Sequence, residues 1–462
     1  MQPPPPAESS SRDSSAAPKV WRAGTLTYTS GGLAVLFGWL LWGDFAWMLK
    51  ERSAFPVVQI MLRKFEASDW LTGFFLLSLP AAIGLILVPV VSYRSDRHRG
   101  RWGRRIPYLI VTTPMAAIAL AGIAFCPLLA EWLHTAMGWP ADKFNITVIT
   151  LMGLSWTVFE FGTVIANAIF LSLLNDVVPR EWLGRFFGMF RAVSLLTGMV
   201  FNYYLIGHVR EHHVPILAGI AAIYGIGFMM MCLKVKEGEY PPPETMNPDQ
   251  PRGFVSAVRT YGRECFTQPY YILIFAALAL APLSFTPVNL YSIYAADHFG
   301  LSMETYGKFI VGTYACSLLL AYPLGWMADR VHALRMAIGS LAIYVLVMIA
   351  GWFWVGGPQS FGIVLLVHGV ISGCYFTGAA ALGQMLFPKL KFAQFASAGA
   401  MLLSVCNIAF GPAMGRVLDW LDHDYRYTFG AGALIALAAL AVTLAVYRRF
   451  LALGGTKNYV AP

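Results

Sequence analysis

Charged residues are scarce in this chain, and their scarcity excludes a soluble fold. They make up 12% of the 462 residues, whereas soluble domains average roughly 25%. Hydrophobic residues make up 57%, and the mean hydropathy is +0.60. We therefore expect an integral all-α membrane protein, in which a chain of this length has room for twelve spans of about 20 residues each.

Motifs for several kinds of chemistry are missing as well. The six cysteines are scattered singly, so disulfides and thiolate metal sites are not expected. The sequence has no Walker-type phosphate loop, which argues against ATP-driven transport, and no nucleophile elbow or HExxH motif. The histidines of residues 208–213 lie without cysteines or clustered acids, which favours a solvated loop over a metal site. We expect no enzymatic activity and no cofactor, apart from a coupling ion, H⁺ or Na⁺.

Positive charge is concentrated between two apolar runs. Six arginines fall within the twelve residues from Arg94 to Arg105. An arginine at the bilayer centre costs roughly 2.5–3.5 kcal/mol or more, so this stretch must be a loop, and arginine-rich short loops lie in the cytoplasm. Loops of this kind explain the net charge of +9 better than nucleic-acid binding does, since the basic residues flank apolar segments.

The arginine loop also carries a motif that charge alone does not require. Asp96-Arg97 precedes the basic run, and the pattern returns as Gly325-Trp-Met-Ala-Asp329-Arg330. The pair resembles the loop between the second and third spans of the major facilitator superfamily and its echo between the eighth and ninth. The first copy has Ser92 where the second has its glycine.

A narrower resemblance lies in Ser95-Asp-Arg-x-x-Gly-Arg-Trp-Gly-Arg-Arg-x-Pro-Tyr108. This stretch is similar to the glycoside–pentoside–hexuronide:cation symporters and the plant sucrose transporters. It departs from them at His98 and Ile106. The resemblance implies the major facilitator fold, two pseudo-symmetric six-helix bundles, and a gating role for these motif residues: Asp96, Arg97, Gly100, Arg101, Gly103, Arg104, Arg105, Asp176, Gly325, Asp329 and Arg330.

Apolar runs of spanning length predict twelve helices. They lie at 26–49, 70–92, 107–130, 145–174, 185–206, 214–233, 270–294, 305–327, 335–355, 360–386, 393–415 and 428–447. An even number places both termini on one side. The segments on that side hold about three times as many basic residues as the opposite loops, so the termini are predicted to be cytoplasmic and the protein to lie in the cell (inner) membrane.

The chain divides into five predicted regions. A proline- and serine-rich disordered tail (1–25) precedes an N-terminal bundle (26–233). A proline-rich cytoplasmic linker (234–269) leads to a C-terminal bundle (270–450) and a short cytoplasmic tail (451–462). Paired halves with matched loops are typical of transporters that rock about a central site. We expect a monomer in the lipid bilayer that binds a small-molecule solute and no nucleic acid.

Charges inside the spans are the strongest candidates for function, because the membrane makes them costly. Glu160, midway along the fourth span, is interpreted as a proton- or cation-binding group or as half of a structural ion pair. Arg191, in the fifth span, is a plausible partner for it, perhaps together with Asp176. Such a pair would be either a lock broken during transport or a permanent brace.

Other polar groups are weaker candidates. Asp44, near the predicted outer end of the first span, is a binding residue or a solvated helix end. His368 is a hydrogen-bonded core residue or a solute and proton contact, since a histidine titrates near physiological pH. Asn167, Asn289 and Gln384 are binding residues or helix-packing groups.

The sequence leaves several functions open. The leading hypothesis is a secondary transporter, coupled to protons or sodium, for a small polar solute, by resemblance a sugar or glycoside. An exporter remains an alternative because Gly411-Pro412 lies in the eleventh span. A non-transporting sensor or assembly factor with the same fold is the alternative from another class.

Overall fold

The computed structural model describes residues 20–240 and 261–462. Within these residues the chain forms long helices, which we number α1 to α12. Their bounds are α1 Ser30–Lys64, α2 Asp69–Arg97, α3 Ile106–Met137, α4 Phe144–Val177, α5 Leu183–Val200, α6 Val209–Lys234, α7 Pro269–His298, α8 Met303–Val331, α9 Ala333–Trp354, α10 Pro358–Gly378, α11 Phe392–Trp420 and α12 Arg426–Ala452.

The described residues hold eleven helical segments that are long and apolar enough to cross a membrane. One of them, Leu183–Lys234, is 52 residues long, far more than a single span needs. It contains α5 and α6, which are separated by a π-helical turn at Phe201–Leu205 and a 3₁₀ turn at Ile206–His208, and α6 has a kink at His212. The prediction of twelve spans in an all-α membrane fold is therefore confirmed.

The two halves repeat the same packing. In the first half α1 packs on α5 and α6, α3 packs on α4 and α6, and α2 packs on α4. Each of these pairs recurs in the second half between the helices numbered six higher. Across the interface α2 packs on α11 and α5 packs on α8. These two contacts are equivalent, because α8 is the counterpart of α2 and α11 is the counterpart of α5, as expected for two pseudo-symmetric bundles.

The predicted boundary of the first span is wrong at both ends. Residues Trp21–Ala23 and Leu26–Tyr28 form a two-stranded antiparallel hairpin, and α1 begins at Ser30. Thr29 caps α1 by accepting a hydrogen bond from the Gly32 amide at 3.2 Å. The helix then continues past residue 49 to Lys64, because the apolar pattern resumes after the charged residues 50–52.

The described parts of both terminal regions make defined contacts, although the N-terminal tail was predicted to be disordered. The hairpin occupies part of the predicted tail 1–25, whose first nineteen residues lie outside the described ones. In the C-terminal tail, Tyr459 donates a hydrogen bond to the Leu386 carbonyl at 2.7 Å, and the Tyr271 hydroxyl donates to Pro462 at 2.5 Å. Most of the predicted linker 234–269, residues 241–260, also lies outside the described residues.

We call the membrane face at which α1 begins and α12 ends the terminal face, and the opposite one the distal face. Within 20–240 and 261–462, the hydrogen bonds and ion pairs between the halves come from the distal parts of the helices. Thr72 bonds to Tyr294 at 2.8 Å, Ser78 donates to the Ile408 carbonyl at 2.7 Å, and Arg210 pairs with Asp297. The halves are therefore joined at the distal face, and no hydrogen bond or ion pair within the described residues joins them at the terminal face.

Candidate functional site

A cavity of about 500 Å³ lies where the two bundles meet. Helices α1 and α5 line it from one half, and α7, α8 and α10 line it from the other. Glu51 and Arg191 are exposed although they lie well inside α1 and α5. Charged side chains are exposed at such depth only where water enters, so this is a water-accessible chamber below the distal contacts.

The residues Lys50-Glu51-Arg52 bring three consecutive charges to this region. The Lys50 side chain is fully buried, and its ammonium group lies 3.0 Å from the Glu51 carboxylate. The same group donates to the Thr163 hydroxyl at 3.2 Å and lies 3.6 Å from the centre of the Trp47 ring. A buried ammonium is tolerated because a carboxylate, a hydroxyl and an aromatic face replace its water.

Glu160 lies on α4 beside this cluster, one helical turn before Thr163. Its side chain is 8% exposed, and the charged groups in its electrostatic surroundings are Lys50 and Glu51. The structure contains no ion pair between Glu160 and Arg191, although both residues are described. Glu160 on α4 is turned toward α1, whereas Arg191 on α5 faces the cavity. The pair is therefore not a permanent brace, and a lock that forms in another state of the transport cycle stays a prediction.

Two arginines line the cavity from the N-terminal half. Arg52 donates a hydrogen bond to the Ser194 hydroxyl at 2.9 Å, and its guanidinium carbon lies 5.4 Å from the centre of the Tyr314 ring. Its Nε is buried without a hydrogen-bond partner. Arg191 precedes Ser194 by one helical turn, so the two arginines are neighbours on facing helices.

His368 reaches the cavity through a chain of hydrogen bonds from the C-terminal half. Its side chain is 1% exposed. Nδ1 lies 2.9 Å from the Tyr344 hydroxyl, and Nε2 lies 3.0 Å from Asn289 Oδ1. Asn289 is exposed and lines the cavity. Both ring nitrogens are thus occupied, and the imidazole is placed to orient the Asn289 amide.

The other candidates lie away from the cavity lining. Asp44 is fully buried midway along α1, and neither carboxyl oxygen has a hydrogen-bond partner within the described structure. It is therefore not the solvated helix end that the shorter predicted span suggested. Asn167 is exposed on α4, and Gln384 is exposed on a short helix, Leu382–Leu386, near the terminal face.

The arginine loop forms a charged cluster at the terminal end of the N-terminal half. Arg104 binds the Asp176 carboxylate at the end of α4 with two hydrogen bonds, of 2.7 and 3.1 Å. Arg105 reaches Asp176 at 3.2 Å, Asp96 at 2.5 Å and the Ser95 hydroxyl at 2.5 Å. Burial lowers the pKa of Arg104, but the hydrogen bonds and charge of Asp176 outweigh it and raise the pKa. Asp176 is thereby bound to two arginines and is not available to Glu160 or Arg191.

Glu237, which was not among the residues predicted from sequence, also binds the arginine loop. Its carboxylate accepts hydrogen bonds from the backbone amides of Arg104, Arg105 and Ile106 at 3.0, 2.8 and 2.7 Å. These are amides at the start of α3, where the helix dipole favours negative charge. Gly103 lies in the left-handed region at φ +95°, and a β-carbon there would overlap Glu237, so this position requires glycine.

The remaining motif residues make local contacts. The Arg97 guanidinium lies 3.7 Å from the Tyr93 ring centre, Gly100 bonds to Gly103 through both backbone groups, and Arg101 is exposed. In the second copy, Gly325 lies in α8 and the Arg330 guanidinium lies 4.1 Å from the Trp326 ring centre. The Asp329 side chain lies outside the described structure.

The most important residues missed from sequence are Lys50, Glu51 and Arg52. The predicted first span ends at residue 49, where these three charges begin, and that boundary places them in the first outer loop. The signal that would have found them is the apolar stretch Val57–Leu62 that follows, interrupted only by Gln59. Together the two stretches predict one helix with charges in its middle.

Comparison with solved structures shows the same fold in several transporters. A bacterial homologue of the human lysosomal transporter Spinster in an inward-facing state has a TM-score of 0.64 at 13% identity, over 93% of this chain and 98% of that one. The D-xylose-proton symporter has a TM-score of 0.59 at 14% identity, over 89% and 95%.

A bacterial homologue of the iron transporter ferroportin gives two comparisons. Its inward-facing structure has a TM-score of 0.64 at 14% identity, covering 90% of this chain and 99% of that one. Its outward-facing structure has a TM-score of 0.57 at 16% identity, covering 90% and 100%.

The sequence family described as MFS/sugar transport protein matches residues 62–414. The match covers more than half of the chain and includes both copies of the loop motif. With the two pseudo-symmetric bundles and the chamber between them, it assigns the protein: the chain belongs to the MFS/sugar transport protein family of the major facilitator superfamily.

Proposed function

We propose that the protein is a secondary active transporter that carries a small polar solute, a sugar or glycoside, by alternating access. The observation that carries this proposal is the chamber between the halves, which both bundles line and which lies below the contacts that join the halves at the distal face. A central site of this kind becomes accessible to one face and then the other as the halves rock.

The distribution of basic residues makes the terminal face cytoplasmic, so the structure corresponds to an inward-open state. The structural correction strengthens this orientation, because Lys50 and Arg52 lie inside α1 and not in an outer loop. The higher similarity to the inward-facing ferroportin homologue than to the outward-facing one agrees with it.

We propose protons as the coupling ion, bound at Glu160. The buried ammonium of Lys50 already lies among Glu51, Thr163 and Glu160, so a further cation would meet it at short range. Protonation neutralises the Glu160 carboxylate, and it does so without placing a second cation beside the Lys50 ammonium. With Glu160 neutral, the Lys50 ammonium would interact with the Glu51 carboxylate alone. Because Glu51 lines the cavity, protonation of Glu160 would thereby alter the charge that the solute meets.

The experiment is transport by the purified full-length protein in liposomes. A panel of radiolabelled neutral and acidic sugars is offered under an inward proton gradient, an inward sodium gradient or no gradient. We expect accumulation above equilibrium for at least one sugar under the proton gradient and its loss when a protonophore is added.

Accumulation driven by sodium alone would overturn proton coupling. If no member of the panel moves under any gradient, secondary transport of sugars is overturned.

A further inference from the structure

The charges that line the central cavity are unbalanced. Arg52, Arg191 and Glu51 are the charged residues among the lining side chains. Glu51 is neutralised by the Lys50 ammonium at 3.0 Å. No acidic side chain within the described structure lies within ion-pair distance of Arg52 or Arg191, so both guanidinium groups line the cavity without an ion-pair partner.

Two further acids of the region lie behind this lining. Arg52 is in the electrostatic surroundings of Asp44, and Lys50 is in those of Glu160. Asp44 and Glu160 are buried and are absent from the lining. A buried charge behind the lining residues interacts more weakly with a solute than a charge at the cavity surface does, since the Coulomb energy falls with distance. A negative group entering the cavity would meet the two guanidinium groups first.

The geometry of the arginines suits a single oxyanion. Arg52 on α1 already reaches Ser194 at 2.9 Å, and Ser194 lies one turn beyond Arg191 on α5. One donor of Arg52, its Nε, is buried without a partner. Guanidinium groups bind carboxylate and phosphate through paired hydrogen bonds, and an unmade hydrogen bond of a buried donor is costly.

The opposite wall offers neutral hydrogen-bonding groups. The C-terminal half contributes amide and hydroxyl side chains to the lining: Asn289, Ser292, Thr313, Ser317 and Ser372. Such groups bind sugar hydroxyls, which both donate and accept. The cavity volume of about 500 Å³ falls within the range of roughly 300–1,000 Å³ found for small-molecule sites.

We propose that the solute is a hydroxylated oxyanion, a sugar-like molecule with a carboxylate or phosphate group. Arg52 and Arg191 of the N-terminal half bind the oxyanion, and the C-terminal half binds the hydroxyls. Because the solute bridges the two halves, its binding favours their closure around it. This inference rests on the proposed transport function and narrows its substrate class.

The test compares matched acidic and neutral sugars on the purified full-length protein. Binding of glucuronate, galacturonate and glucose 6-phosphate is measured by calorimetry against glucose and galactose. We expect at least one acid to bind at least tenfold more tightly than its neutral counterpart. A preference for the uronates or for the phosphate identifies which oxyanion the arginines select.

Variants locate the site. Arg52→Gln and Arg191→Gln should each weaken binding of the preferred acid about ten- to hundredfold, with neutral sugars unaffected. Arg180→Gln, an exposed arginine after α4, is the matched control and should leave binding unchanged. Arg191→Lys keeps the positive charge but lacks the paired donors of the guanidinium group. It should recover part of the affinity, and such a recovery would attribute the loss in Arg191→Gln to the missing charge and not to misfolding.

Several outcomes would overturn the proposal. Neutral sugars bound as tightly as the acids, no acid bound at all, or acid binding unchanged in both glutamine variants would each refute it. Proton-driven accumulation of neutral sugars without preference for acids would refute this inference alone. Absence of accumulation for every sugar and gradient would refute the proposed function itself.

Discussion

The backbones of Gly73 on α2 and Gly411 on α11 lie in direct contact. A β-carbon on either glycine would overlap the other's backbone carbonyl. The pseudo-symmetric contact, between α8 and the π-helical turn that follows α5, has the same character, since a β-carbon on Gly307 would overlap the Asn202 carbonyl. Small residues permit such close helix approach in membranes, and here they allow the distal face to close.

Replacing Gly411 by valine should open the distal face, because the added side chain cannot be accommodated at this crossing. Spin labels at Lys143 and Gln359, exposed distal positions in opposite halves, should move apart. Labels at Arg180 and Lys389 near the terminal face should approach one another. Electron paramagnetic resonance measures both distances.

The control for that experiment is Gly219→Val on α6, where a β-carbon meets no atom within 4 Å. It should leave both label distances unchanged. Unchanged distances in Gly411→Val as well would show that the crossing does not decide which face is open.

Asp69, at the start of α2, should act as the polar lock of the same face. Its buried carboxylate accepts from the Tyr425 hydroxyl at 3.0 Å and lies 2.7 Å from His423 Nδ1. Asp69→Asn should shift the equilibrium toward distal opening by about 1–3 kcal/mol, the cost of losing hydrogen bonds to a charged group. Tyr425→Phe removes one donor and should shift it less.

The same distal labels at Lys143 and Gln359 report this change as a new population of longer distances. Asp142→Asn, an exposed acid on that face, is the matched control. A shift in Asp142→Asn equal to that in Asp69→Asn would mean that the effect is general surface charge and not the lock.

At the terminal face, Asp176→Asn should destabilise the protein more than Asp96→Asn. Among the described residues, Asp176 forms ion pairs with both Arg104 and Arg105, whereas the Asp96 side chain pairs with Arg105 alone and is 53% exposed. Exposed ion pairs contribute little because water competes for them. Thermal unfolding of the purified variants in detergent should therefore show the larger decrease in melting temperature for Asp176→Asn, and equal decreases would contradict this ranking.

Glu160→Gln should abolish accumulation against a gradient but leave solute exchange measurable, because glutamine cannot carry the proton and the cavity lining is unchanged. Uptake and counterflow in liposomes separate the two activities. Wild-type accumulation in this variant would exclude Glu160 as the proton site. The buried, unpartnered Asp44 would then be tested in the same assay.

His368→Ala should raise the half-saturation constant for transport, because it leaves Asn289 without its orienting partner. A loss of about 1–3 kcal/mol corresponds to a ten- to hundredfold weaker solute interaction. Tyr344→Phe removes only the hydrogen bond to Nδ1, on the side of the imidazole away from the cavity, and should have a smaller effect. An unchanged constant in His368→Ala, with normal expression, would assign the imidazole to core packing.

The sequence by itself determined the class of the protein and its twelve spans. Apolar runs of about 20 residues leave helices as the available structure, because lipid offers no partner for backbone amides. The repeated Asp-Arg motif located the related loops of the two halves. The arginine stretch was predicted as a loop with a gating role, and the structure adds that Arg104 and Arg105 bind Asp176 there.

Only the tertiary structure decided which charges meet. The continuation of α1 to Lys64 could be predicted from its two apolar stretches, but the contacts of Lys50, Glu51 and Arg52 with Thr163, the cavity and Ser194 depend on how the helices pack. The rotation of α4 and α5 separated Glu160 from Arg191 and directed them to Lys50 and to the cavity. Side-chain direction about a helix axis is set by the neighbouring helices, and a linear pattern does not contain that information.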